Sequence, residues 1–143
     1  MPKYARLIFV VIAAFTLVAV AGCGDKKDDD NANKATPPPL SADLKVAVTG
    51  KGADAKFKYP EDKFSKVKPG VVKITVSNPQ GSGEKHGIAI DGGDYKNVEG
   101  VPVLPGRQTS LTVTLKPGEY KFYDSAKQFK DNKDLQGDIT VVK

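Results

Sequence analysis

The chain has 143 residues, a formal charge of +5, 39% apolar residues and 27% charged residues, enough for one packed domain with appendages. One His, one Cys and no Trp exclude an internal disulfide and a tetrahedral Cys/His zinc site. A Ser-His-Asp or Cys-His enzyme would have to use His86, and no acidic dyad stands at a useful spacing, so the chain does not read as an enzyme. No run of Lys or Arg exceeds two residues, and the positive excess is too diffuse to indicate nucleic acid.

Residues 1–22 have the layout of an export signal. Lys3 and Arg6 supply a positive start, and Leu7 to Gly22 runs sixteen residues without a charge. That run is shorter than the roughly 20 residues of a spanning helix. It ends in Val20-Ala21-Gly22-Cys23, which resembles the bacterial lipobox, in which the Cys becomes the lipidated first residue. A cleaved signal with an incidental Cys, or an uncleaved anchor, are the other readings. The lone thiol favours lipidation, since an odd Cys in an exported chain otherwise lacks a role. The expectation is a lipid anchor at Cys23 on an extracytoplasmic membrane face.

Residues 23–43 read as a tether, with the charged run Asp25-Lys26-Lys27-Asp28-Asp29-Asp30 and a short polyproline spacer at Pro37-Pro38-Pro39. The Asp triplet lacks the Gly turn and later Glu of a calcium loop.

Residues 44–143 read as one small all-β domain. Leu44, Val46 and Val48 alternate with polar or small residues, as do Phe57 and Tyr59, then Val72, Ile74 and Val76. Asn78 to Gly83 is a loop, and His86, Ile88 and Ile90 share a parity before Gly92-Gly93 breaks the strand. Asp94 to Arg107 is irregular. Leu111, Val113 and Leu115 form a strand, and the tight turn Lys116-Pro117-Gly118-Glu119 predicts a hairpin with the next one. In that strand Tyr120, Phe122 and Asp124 share a parity. Ser125 to Leu135 is polar with room for a short helical turn, and Ile139 and Val141 close the chain. Six to eight strands in about 100 residues indicate an antiparallel sandwich.

Other clusters have bland readings. Asp91-Gly92-Gly93-Asp94 suits a strand-ending turn better than a calcium loop. Asp131, Asp134 and Asp138 are interleaved with Lys127, Lys130 and Lys133, as on a solvated face. Tyr95 and Tyr120 read as core or rim, with Tyr123 outward by parity. Lys51, Lys56, Lys58, Lys63, Lys66 and Lys68 give either a basic face toward anionic lipid or an acidic partner, or simple solubility.

Lys68-Pro69-Gly70, the strand Val72 to Asn78, His86-Gly87-Ile88-Ala89-Ile90, the segment Leu115 to Tyr123 and Gly137-Asp138-Ile139-Thr140-Val141 together resemble the cupredoxins. The resemblance covers roughly Leu44 to Lys143 and implies a two-sheet Greek-key sandwich with a copper rim at one end. In the family the rim carries two His, one Cys and usually an axial Met. His86 matches the first His. The Cys falls on Asp124, the second His on Phe129 and the Met on Leu135, in a loop about one residue longer than is common in the family. The resemblance therefore implies a former metal rim, with no cofactor and no electron transfer. If any metal binds, His86 and Asp124 are its candidate ligands, and copper is the alternative cofactor. Both side chains are expected to face inward at the same end. His86 then either hydrogen-bonds Asp124 across the old site, or meets solvent or a carbonyl while Asp124 caps the following turn. The expected function is a monomeric, membrane-anchored, non-redox binding or scaffold module for an unidentified protein or small molecule.

Overall fold

The computed structural model describes residues 37–143. The expected export signal, Cys23 and most of the expected tether lie outside these residues. Eight strands are present: β1 (Leu40–Thr49), β2 (Lys56–Lys58), β3 (Gly70–Asn78), β4 (Ala89–Gly92), β5 (Tyr95–Glu99), β6 (Arg107–Leu115), β7 (Gly118–Tyr123) and β8 (Gln136–Val141). One helical turn, α1 (Glu61–Phe64), and three short 3-10 turns join them. The strands form two sheets of four, ordered β2-β1-β3-β6 and β5-β4-β7-β8.

The alternation read from the sequence sets which residues enter the space between the sheets. Leu44, Val46 and Val48 of β1, Val72, Ile74 and Val76 of β3, and Val113 and Leu115 of β6 are buried from one side. Ile90, Phe122, Ile139 and Val141 meet them from the other. Phe57, Tyr59 and Phe64 pack around the Phe122 ring, with centroids 5.9, 5.0 and 5.2 Å away. Gly137 leaves room for the Phe122 and Tyr59 rings.

The structure departs from the sequence reading in four places. β1 starts at Leu40, because Leu40 and Ala42 already pair with β3. That β1–β3 pair is parallel, whereas all other strand pairs in the two sheets are antiparallel. β6 and β7 do not form a hairpin, for they lie in different sheets. The turn at Lys116-Pro117 crosses the sandwich, and Tyr120 fixes it by donating its hydroxyl to Lys116 O and accepting from Lys116 N. Finally, the supposedly irregular stretch after Asp94 contains β5, which pairs with β4 across the turn at Gly93-Asp94.

Candidate functional site

The site lies at the end of the sandwich where β3, β7 and the segment before β4 come together. His86 precedes β4 and forms a two-way backbone bridge with Val103, its N–H donating to Val103 O and its carbonyl accepting from Val103 N–H. Asp124 follows the last residue of β7. Both side chains are completely buried.

The shared inward parity of the two residues brings them together. His86 Nδ1 lies 2.6 Å from Asp124 Oδ2. Asp124 Oδ1 accepts from the backbone N–H of Gly87 at 3.0 Å and of Ala126 at 2.9 Å. The two alternatives read from sequence are thus both present: the carboxylate pairs with the imidazole and also caps the turn that follows. With three donors converging on it, the buried carboxylate is satisfied. A carboxylate only accepts, so Nδ1 carries the proton of this bond. His86 Nε2 is buried without a hydrogen-bond partner.

Phe129 and Leu135 complete the enclosure. The Phe129 ring stacks on the imidazole with centroids 4.7 Å apart and planes 15° apart. Phe129 is placed by a 3-10 turn over Lys127–Phe129, closed by its N–H donating to Ala126 O. Leu135 is fully buried, and its carbonyl accepts from Asp124 N–H at 3.0 Å. All four residues singled out by the resemblance therefore lie at one end of the sandwich.

No family model matches the chain, and no curated protein matches it. Solved structures do. Auracyanin B aligns over 76% of this chain and 94% of its own, with a TM-score of 0.56 and 16% identity. A multicopper oxidase aligns over 73% of this chain and 45% of its own, with a TM-score of 0.51 and 17% identity. The fold is that of the cupredoxins.

A cupredoxin rim holds type 1 copper through a thiolate and two imidazoles. The residues here do not fit that centre. The thiolate position is a carboxylate already engaged by three donors. The second imidazole position is a phenyl ring lying flat on the first, and the axial position is an alkyl side chain. Among the described residues no group of three or more His, Cys, Asp or Glu side chains converges on a point.

Three further residues build this rim; Asn78 stands in the resemblance as the partner of His86, whereas the roles of Ser125 and Gly87 were not singled out in the sequence. Asn78 is buried and donates from Nδ2 to both Glu84 O and Val103 O, tying the loop before His86 to the loop that pairs with it. Its Oδ1, like His86 Nε2, is buried without a partner. Ser125 donates to Gly100 O at 2.9 Å. Gly87 must lack a side chain, because a Cβ there would stand 2.1 Å from Ser125 Oγ and 3.1 Å from Pro102 Cα. A Gly directly after the sole His was the one visible signal of this crowding.

The remaining candidates settle into structural roles. Asp94 pairs with Lys116 on the surface, which holds the Lys116 ammonium above its ordinary range, chiefly through that hydrogen bond. Tyr123 points to the outer face as parity predicts, yet is buried there, with its hydroxyl donating to Asn97 Oδ1 at 2.8 Å. Tyr95 closes the outer edge of β6 by bonding both N–H and carbonyl of Thr114. Asp131, Asp134 and Asp138 are all exposed.

Proposed function

We propose that the protein is an extracytoplasmic lipoprotein, anchored through Cys23, whose cupredoxin-fold domain acts as a non-redox binding or scaffold module. One observation carries this reading: the rim is sealed by its own side chains. Asp124 bonds the imidazole that a metal would need, and Phe129 and Leu135 put hydrocarbon where donors would stand. A buried pair whose carboxylate is fully engaged serves stability and shape, and it leaves the surrounding loops as the working surface. The loop paired with His86 exposes Val101 and Leu104, at 77% and 59%, beside the rim. The chain carries out no catalysis on this reading.

The alternative is a weak copper site around His86, and the unpartnered Nε2 is the observation that favours it. Calorimetric titration of the metal-free mature chain with Cu(II) separates the two. The module reading predicts no saturable uptake in wild type or His86→Ala. Uptake that disappears in His86→Ala supports the weak site, and one stoichiometric ion with intense blue absorption overturns the non-redox reading. Detergent phase partition tests the anchor: wild type should enter the detergent phase and Cys23→Ala should remain aqueous.

A further inference from the structure

The two outer faces of the sandwich carry opposite charge. On the sheet β2-β1-β3-β6, the positions facing away from the core include Lys45, Lys56, Lys58 and Lys73, against one carboxylate, Asp43. The other sheet points Asp91, Glu99, Glu119 and Asp138 outward, against Lys121 and the exposed Lys96 of β5, with Lys130 pairing Glu99. The basic set differs from the one read off the sequence. Lys51, Lys63, Lys66 and Lys68 lie outside the strands, whereas Lys45 and Lys73 join Lys56 and Lys58 on the sheet.

Strand register places these four lysines on three adjacent strands. Lys58 lies opposite Ala47 and Lys56 opposite Thr49, while Lys45 lies beside Thr75 and Lys73 beside Asp43. With strands about 4.8 Å apart and roughly 3.3 Å per residue, they occupy a patch of about 10 by 20 Å. Among the described residues the ion pairs are His86–Asp124, Lys116–Asp94 and Lys130–Glu99, so none of the four is paired. Most other outward positions on this sheet are small, hydroxylic or amide residues. Unpaired like charges on neighbouring strands repel one another, and a flat anionic partner would relieve that repulsion.

From this we infer that the outer face of the β2-β1-β3-β6 sheet rests on the anionic headgroups of the membrane that carries the anchor. The inference rests on the lipoprotein reading. β1, which begins at Leu40, belongs to this same sheet, and Cys23 lies seventeen residues earlier. Such a segment reaches at most about 60 Å, so the face remains within range of the headgroups. Tethering turns a weak surface attraction into an intramolecular one. Each lysine within a Debye length of an anionic surface strengthens binding roughly fivefold.

The test uses the mature chain with Cys23→Ser, so that vesicle binding reports the face and not the lipid. Phosphatidylcholine vesicles are compared with and without phosphatidylglycerol. Binding should require the anionic lipid and vanish in about 0.5 M salt, where the Debye length is about 4 Å. Replacing Lys45, Lys56, Lys58 and Lys73 by Gln should weaken it by nearly three orders of magnitude, roughly fivefold for each of the four. Replacing Lys85, Lys96, Lys127 and Lys133, which lie off this face, should change it only a few-fold at the same net charge. Equal loss in both quadruple variants, equal binding to neutral vesicles, or no binding by the parent chain overturns the inference. So does a dimer, seen by sedimentation without lipid, that only the first variant dissolves, since the acidic face of a second copy is then the occupant. Failure of the lipoprotein reading is seen separately, as a membrane-extracted wild-type chain with no lipid mass on Cys23.

Discussion

Asp124 holds three buried donors at once, and that sets what its replacement should do. Asp124→Ala strips the acceptor from His86 Nδ1 and from the N–H groups of Gly87 and Ala126. Removing one partner of a buried pair leaves the others unsatisfied, so urea unfolding should register a loss of about 3–5 kcal/mol. Asp124→Asn is a sharper probe. Its Oδ1 keeps both backbone bonds, but its amide now donates toward Nδ1, which must become an acceptor. The imidazole proton should move to Nε2, where it finds no partner, at a cost of about 1–3 kcal/mol. Nitrogen-15 correlation spectra should show Nδ1–H in wild type and Nε2–H in the variant; an unchanged tautomer would contradict the pair. The tyrosines give a second, alkaline signature. Burial, then Glu99 and Asp91, hold the Tyr123 phenol above the ordinary 10.0, and burial, then Glu61 and Asp138, do the same for Tyr59. The folded state keeps these protons longer than the unfolded chain, so their contribution is intact below pH 10.0 and declines as pH rises from there toward the folded values. Denaturant titrations across this range should fall less steeply for the double variant Tyr59→Phe/Tyr123→Phe, and identical slopes would remove the linkage. At this scale strand parity, together with the family resemblance, turned His86 and Asp124 inward at one end and left open whether they pair. The sequence could not show the orphaned Nε2, because that depends on which nitrogen the carboxylate takes.

Between strands, the turn at Lys116-Pro117 shows why a local signal misleads. Pro-Gly between two alternating runs is equally good chemistry for a hairpin and for a crossing between sheets. The choice is made by the partners the two strands find, β3 for β6 and β4 and β8 for β7, and the Tyr120 hydroxyl four residues on then grips both backbone groups of Lys116. Tyr120→Phe removes that grip while keeping the ring, and thermal or urea unfolding should reveal a loss of about 1–2 kcal/mol. No loss would mean that the ring alone holds the crossing. β5 escaped sequence reading for a related reason. Its half-buried residues Tyr95 and Val98 are an odd number apart, and Asn97 between them takes a positive φ of 51°. The period of two is broken within the strand itself. The loops around the rim are positioned by similarly nonlocal crowding. Gly87→Ala would drive a methyl into Ser125 Oγ and the Pro102 backbone, so a destabilisation of about 1–3 kcal/mol is expected. Adding Ser125→Ala removes the nearer of the two contacts and should recover part of it. Strict additivity in that double-mutant cycle would show that the two side chains do not meet.

For the molecule as a whole, the alternating apolar residues of β1, β3, β6, β7 and β8 were enough to indicate a two-sheet sandwich. They define the interior irrespective of how the strands are connected. The parallel β1–β3 pair and the strand order were not legible, since both depend on which neighbours a strand finds after collapse. The charge asymmetry was half legible: the lysines stood in the sequence, but only register sorts them onto one face. The same global view bears on metal dependence. A ligand held by the folded state alone raises stability in proportion to the logarithm of its concentration over Kd. At a hundredfold excess over Kd this is about 2.7 kcal/mol, which for a domain of this size shifts the midpoint on the order of 10 °C. Here the rim is closed by the Asp124 carboxylate, the Phe129 ring and the Leu135 side chain, so the native state is already complete without an ion. Melting curves in excess EDTA and in excess Cu(II) should therefore coincide within about 1 °C. A rise on the order of 10 °C would mean that Phe129 and Asp124 give way to coordination, and that the closed rim is the resting form of a metal site.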